Sequence, residues 1–164
     1  MKRLIYFIVL IFLACSTNCI YGQFPSDLSK QIQSDLPQWR SLITIHIEDL
    51  QVSYEQGKVI EKTIDALKSN LDLASLIVSN EHANPKLSNE ILLVSVLTDI
   101  ESGLQVLSAN VLDFGSAKIT QQPKWNAWVL KTSATAANEI SPLQVKLLNS
   151  VLDKAERIEG KKCN

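Results

Sequence analysis

Two histidines, three cysteines and a scatter of carboxylates are what this 164-residue chain offers to acid–base, nucleophilic or metal chemistry. His46 and Asp49 stand one helical turn apart, a spacing at which a carboxylate can orient an imidazole as a general base. The plainer reading is a surface histidine beside a helix carboxylate. His82 follows Glu81 and reads as a solvated turn residue. Glu61, Asp65 and Asp72 recur along one side of a helical segment, and Asp99 and Glu101 lie on the next. Two such rows could meet around a divalent cation, but Lys62 and Lys68 lie close enough to neutralise the first, which favours a solvated charged face. There is no H-E-x-x-H, C-x-x-C or Glu-x-x-His spacing, no Gly-rich phosphate loop and no G-x-S-x-G elbow. The chain is therefore expected to have no catalytic, metal-ligating or cofactor-binding residue and to need no cofactor. A hydrolase built on His46 and Asp49 is the weakest of the readings kept.

The aromatic feature best suited to binding is Lys124-Trp125-Asn126-Ala127-Trp128, whose two indoles fall on one helical face. Exposed, Trp125 and Trp128 would form an interaction surface for a sugar, a lipid headgroup or a protein; buried, they are core. Val129 and Ile140 extend the same stripe and favour burial, more so for Trp128 than for Trp125. Between them, Thr132 to Ala137 is a run of small, weakly polar residues that would let another helix approach, within the domain or between subunits.

The leader carries the plainest message about location. Lys2 and Arg3 precede an unbroken apolar run from Leu4 to Ala14, the order of an export signal, and about ten apolar residues are too few to span a bilayer of about 30 Å. Two cuts compete. Cleavage after Gly22 frees a chain starting at Gln23 and leaves Cys163 as its one thiol. Cleavage before Cys15 follows from Phe12-Leu13-Ala14-Cys15, which resembles a lipobox although Phe12 and Leu13 hold places usually given to leucine and a small residue. Acylation of Cys15 would tether the domain to a membrane surface, and Cys19 could then pair with Cys163. Loss of the leader removes Lys2 and Arg3 and no acid, so net charge moves from −1 to −3. A weakly acidic chain lacks the basic face that nucleic-acid binding requires.

The apolar spacing predicts helices throughout. Leu93, Leu97, Ile100, Leu104, Leu107, Val111 and Phe114 alternate steps of four and three from Ser88 to Phe114, with Ser88 as N-cap, Glu90 near the positive end and Gly115 as the stop. Leu92 and Val96 widen that face. Ile60, Ile64, Leu67, Leu71, Ala74 and Val78 repeat the pattern over 58–80, and a short connection containing Pro85 makes the two segments an antiparallel hairpin. Trp39, Ile43, Ile47, Leu50 and Tyr54 suggest a helix after Pro37, while Ile43, Ile45 and Ile47 also alternate as a strand would. A further helix follows Pro123. Ser141-Pro142-Leu143-Gln144 then reads as a capping box opening the last helix, which carries Leu148, Val151, Leu152, Ala155 and Ile158 inward and ends at Gly160 beside Lys161 and Lys162.

The expected fold is all-α: one bundle of four to five antiparallel helices after a signal peptide. Its divisions are a signal at 1–22, a flexible segment at 23–36, the bundle at 37–160 and a tail at 161–164. Beyond the leader no apolar run is expected to cross a bilayer. The expected function is non-enzymatic: an exported, secreted or periplasmic bundle that binds a protein partner, with oligomeric state open. The alternative is a carrier of a small apolar ligand or lipid between the 58–80 and 88–114 helices.

Overall fold

Aliphatic residues at every third or fourth position drive almost the whole described chain into helices that bury one stripe each. The computed structural model describes residues 25–83, 86–114 and 122–162, with side chains apart from those of 81–83, 114, 122 and 158–162. Among the described residues there are four helical rods and no strand: α1 (Ser26–Leu42), α2 (Tyr54–Ala83), α3 (Leu87–Phe114) and a composite C-terminal rod. In that last rod α4 (Gln122–Thr135) passes through a π-helical turn (Ala136–Ile140) into α5 (Ser141–Lys162). The leader with both of its cuts, Cys15, Cys19, Gly115, Cys163 and the side chains of His82, Ile158, Lys161 and Lys162 lie outside what is described.

The two long ladders behave as their spacing implies. Ile60, Ile64, Leu67, Leu71, Ala74 and Val78 are buried along α2, as are Leu93, Leu97, Ile100, Leu104, Leu107 and Val111 along α3. α3 is central, touching α2, α4, the π turn and α5. By length and composition α3 could also cross a membrane, which corrects the expectation that no such run follows the leader. In this fold its apolar stripe packs against the other rods, while Ser95, Thr98, Asp99, Ser102 and Gln105 face outward. Gly103 sets the spacing to α2: a methyl there would stand 2.7 Å from Leu67 Cδ2.

Several expectations are corrected. Residues 26–36 are helical rather than flexible, because Ile32, Leu36 and Trp39 form an α1 stripe that joins the core. Pro37 lies inside α1 and not before it; residues 33 and 37 are both exposed, so the carbonyl that proline leaves without a donor can turn to water. Residues 43–53 form neither a helix nor a strand but an irregular link with one 3-10 turn at Ile47–Asp49, and Tyr54 at its end is exposed. Ser88 does not cap α3, which starts at Leu87 with the amides of Asn89 and Glu90 donating to Lys86 O; Leu92 faces solvent while Val96 is buried. The capping box occurs instead at α2, where Ser53 N–H donates to Gln56 Oε1 at 2.8 Å and Gln56 N–H returns to Ser53 Oγ at 3.3 Å.

The largest departure is at Ser141-Pro142, where α5 begins at the expected residue but continues the preceding rod without a break or a cap. Thr135 and Ser141 are both αR, and Ser141 N–H donates to Ala136 O, five residues back. A proline at 142 has no N–H for the carbonyl four residues earlier and its ring crowds that carbonyl; a wider π turn just before it relieves both problems without ending the rod. The inward face of α5 is consequently Leu143, Leu147 and Val151. Leu148, expected inward, is 40% exposed, and Leu152 and Ala155 are half-buried.

Candidate functional site

The π turn presents Glu139 to α1, and a polar gathering that joins distant parts of the chain forms around it. Trp39 is fully buried, yet its indole Nε1–H reaches Glu139 Oε2 at 3.2 Å. Gln38 Nε2 donates to both oxygens of the same carboxylate at 3.2 and 3.3 Å, and Thr135 Oγ1 donates to Oε1 at 3.3 Å. One carboxylate thus collects donors from two α1 residues about a hundred positions away and from its own rod one turn earlier. Beside it opens a cavity of about 330 Å³ lined by Gln31, Asp35, Asn138, Pro142 and Lys146 among others. Burial, and then the nearby charge of Glu139, push the Asp35 carboxyl above the ordinary aspartate value, with a hydrogen bond from Gln31 opposing them.

Chemically this is a pin more than a reaction centre. Glu139 spends both oxygens on groups of the chain, so it is positioned to lock α1 against the C-terminal rod. The sequence reading missed Glu139, Gln38 and Asp35. One signal was available: a proline one residue past the Ala-Ala-Asn-Glu-Ile-Ser stretch of a continuing apolar ladder implies a disturbed helix that can turn a polar residue inward.

The residues singled out from the sequence stay apart. His46 lies in the irregular link with its Nδ1 3.6 Å from Glu48 Oε1, while Asp49 faces Lys124 Nζ at 3.5 Å, so no oriented His–Asp base is assembled. Asp65 pairs with Lys68 at 3.4 Å and Asp72 with Arg40 at 2.6 Å, all largely exposed. Glu101 accepts from Gln105 Nε2 at 3.3 Å and from Gln144 Nε2 at 2.6 Å, an α3–α5 tie. Among the described residues no three His, Cys, Asp or Glu side chains gather as metal ligands.

The Trp pair turns inward. Its rings meet edge to face with centroids 6.0 Å apart; Trp125 is 5% exposed, and Trp128, half-buried, donates its Nε1–H to Leu42 O at 3.0 Å. The two indoles turn α4 toward the end of α1 instead of forming an outward platform, and their order of burial is the reverse of that expected from the sequence.

A second polar tie joins the start of α3 to the end of α5. Glu90, in the first turn of α3, is buried and forms an ion pair with Lys154. The helix dipole favours the carboxylate there, and the lysine stem covers apolar surface on its way in.

Exposed apolar side chains occur on α2 (Tyr54, Val59, Leu76), on α3 (Leu92, Val106, Leu112) and on the C-terminal rod, where Leu130 is 71% exposed, Val145 54% and Leu148 40%. No protein-family model, characterised relative or solved structure matches this chain.

Proposed function

We propose that this is an exported, non-enzymatic helical bundle, its helices arranged antiparallel, that acts in the cell envelope or outside the cell by binding a protein partner. The observation that carries the reading is the outer face of the C-terminal rod. Val145, Leu148 and Leu152 recur at steps of three and four on a helix whose opposite side is already sealed into the core. Aliphatic side chains lined up on one surface are what a contact surface uses and what a solvated face avoids. The leader supports export, and its two cuts give a free form starting at Gln23 or a form tethered through acylated Cys15.

The carrier alternative needs room between α2 and α3, and the approach of Gly103 to Leu67 leaves no room at that level. Contact through the rod is the better supported of the two.

Two measurements test the proposal. A photoreactive side chain placed at position 145 or 148 in the producing cell is expected to give a discrete adduct; free chain alone at both positions overturns the contact reading. The intact mass of the protein from the same cells is expected to match a chain cut after Gly22 or an acylated chain beginning at Cys15; an uncut chain in the cytosol overturns export.

A further inference from the structure

We propose that this chain has a second form, favoured by acid, in which α3 leaves the bundle and crosses a lipid bilayer. The inference concerns a different helix from the contact reading above and does not rest on it.

α2 and α3 carry the same inner ladder of aliphatic residues and differ on the side that faces away from it. The exposed side of α2 bears charges of both signs: Glu55, Lys58, Glu61, Lys62, Asp65, Lys68 and Asp72. On α3 the exposed side holds Leu92, Val106 and Leu112, small hydroxylic residues such as Ser95, Thr98 and Ser102, and two charges, Asp99 and Asp113. Packing into the core accounts for the inner stripe of both helices but not for the apolar character of this outer side. α3 is long and apolar enough to cross a membrane, yet only 39% of its most apolar eighteen residues is buried.

The ionisable groups give that stretch its ends and its sign. From Leu87 to Phe114 there is no Lys, Arg or His, and every ionisable side chain is a carboxyl: Glu90, Asp99, Glu101 and Asp113. Residues 91–112, between the outer two, rise about 33 Å at about 1.5 Å per residue, against a hydrocarbon core of about 30 Å. Asp99 and Glu101 fall near the middle. A charged side chain is costly there, so both must enter as neutral acids, and each inserted molecule takes up two protons at that depth. Acid therefore drives insertion. A basic residue in the same stretch would stay charged and oppose it. Two of the hydroxyls are already satisfied within the helix, Thr98 Oγ1–H donating to Val94 O at 2.8 Å and Ser108 Oγ–H to Gln105 O at 2.9 Å.

The charged groups of the surrounding rods leave the middle of α3 without a cationic partner to break. Glu101 accepts from the amides of Gln105 and Gln144. Those of α2 are exposed, with Asp72 held by Arg40 and Asp65 by Lys68. On α4, Lys124 faces Asp49 and Lys131 is exposed, while Glu139 of the π turn is taken up by α1. On α5, Lys146 lines the cavity beside Glu139, and Asp153, Glu156 and Arg157 are exposed. The ionic clamp lies at the start of α3, where Lys154 pairs with buried Glu90, and protonation of that carboxyl discharges it. Once in lipid, the aliphatic ladder trades side-chain neighbours for acyl chains, which are as apolar. α2, charged on one side and apolar on the other, is then suited to lie along the interface.

Depth-dependent quenching tests this on the full chain as isolated from its producing cells. A fluorescent side chain is placed at position 102, on the outer side of α3, or at position 61, on the outer side of α2. The vesicles are phosphatidylcholine brominated near the ends of its acyl chains. Quenching at position 102 is expected to be at least about threefold greater at about pH 4 than at about pH 7, and position 61 is expected to stay unquenched at both. Asp99→Lys, at an exposed position, should keep the helical circular dichroism and melting temperature at neutral pH and abolish the quenching at position 102 in acid. Asp99→Asn needs one proton fewer and is expected to move the midpoint of insertion upward by about half a pH unit or more. Absence of quenching at position 102 in acid, equal quenching at position 61, or variants that behave as wild type overturns the inference.

Discussion

Along the seam between α2 and α3, from Ile60 to Val78 and from Leu93 to Leu107, the buried residues are aliphatic. At the π turn, by contrast, the groups that face inward include an indole N–H, a carboxylate and a threonine hydroxyl. The seam is held by apolar area, which is non-directional and accepts any side chain of fitting volume. The junction is held by donors and acceptors whose value depends on each partner being present. The first kind of contact reaches between neighbours in sequence; the second fixes α1 to a rod that begins a hundred residues later.

The strongest way to break this comparison is to attack the ionic tie at the end of α5. Lys154→Met removes the cation beside the buried Glu90 carboxylate and is expected to cost about 3–5 kcal/mol in urea denaturation. Joining it with Glu90→Leu should recover most of the loss, since an apolar pair of similar volume needs no charge. A single variant as stable as wild type would show that the polar ties hold nothing.

On the apolar side, Gly103→Val drives a side chain into Leu67 and is expected to cost about 2–3 kcal/mol. Leu71→Met, a volume-conserving change at a fully buried site, should cost less than about 1.5 kcal/mol. If the methionine variant lost as much as the valine variant, the seam would depend on more than volume. At the junction, Glu139→Ala leaves the Trp39 indole N–H buried without its acceptor and is expected to cost about 1–3 kcal/mol. Near-ultraviolet circular dichroism of the indoles reports the same change.

The smallest effect concerns Asp35. Its pKa is raised in the folded chain, so the fold binds that proton more tightly than the unfolded chain does. The resulting stability is full below the ordinary value of 3.8 and is lost as pH rises through the raised value. Asp35→Asn should therefore raise the melting temperature slightly at neutral pH and lose that advantage in acid. A lower melting temperature at neutral pH would instead make the Asp35 charge part of what holds the junction.

Much of the bundle was legible because periodicity records burial directly: the inward sets of α2 and α3 between residues 60 and 111 follow from spacing alone. Two of the misreadings have a common cause in proline. Pro37 suggested a helix start and sits inside α1; Pro142 suggested a second start and sits inside a continuous rod. Each departs from the usual rule because the local backbone finds another outlet, exposure around Pro37 and a wider turn before Pro142. The partners of Glu139 were illegible for a different reason. Gln38 and Trp39 are brought to it only by tertiary packing, and no local spacing encodes a contact across that separation.

The π turn also works as a vernier between two halves of one rod. Its wider winding absorbs one residue, so rewinding 136–140 as plain α-helix with every residue kept would swing everything downstream by about 100° around the axis. Leu143, Leu147 and Val151 would then leave the interior together, and Gln144 and Lys154 would lose their ties to α3. The wider turn thus sets which side of the last twenty faces inward, and a lineage that dropped one residue there could keep that whole segment unchanged.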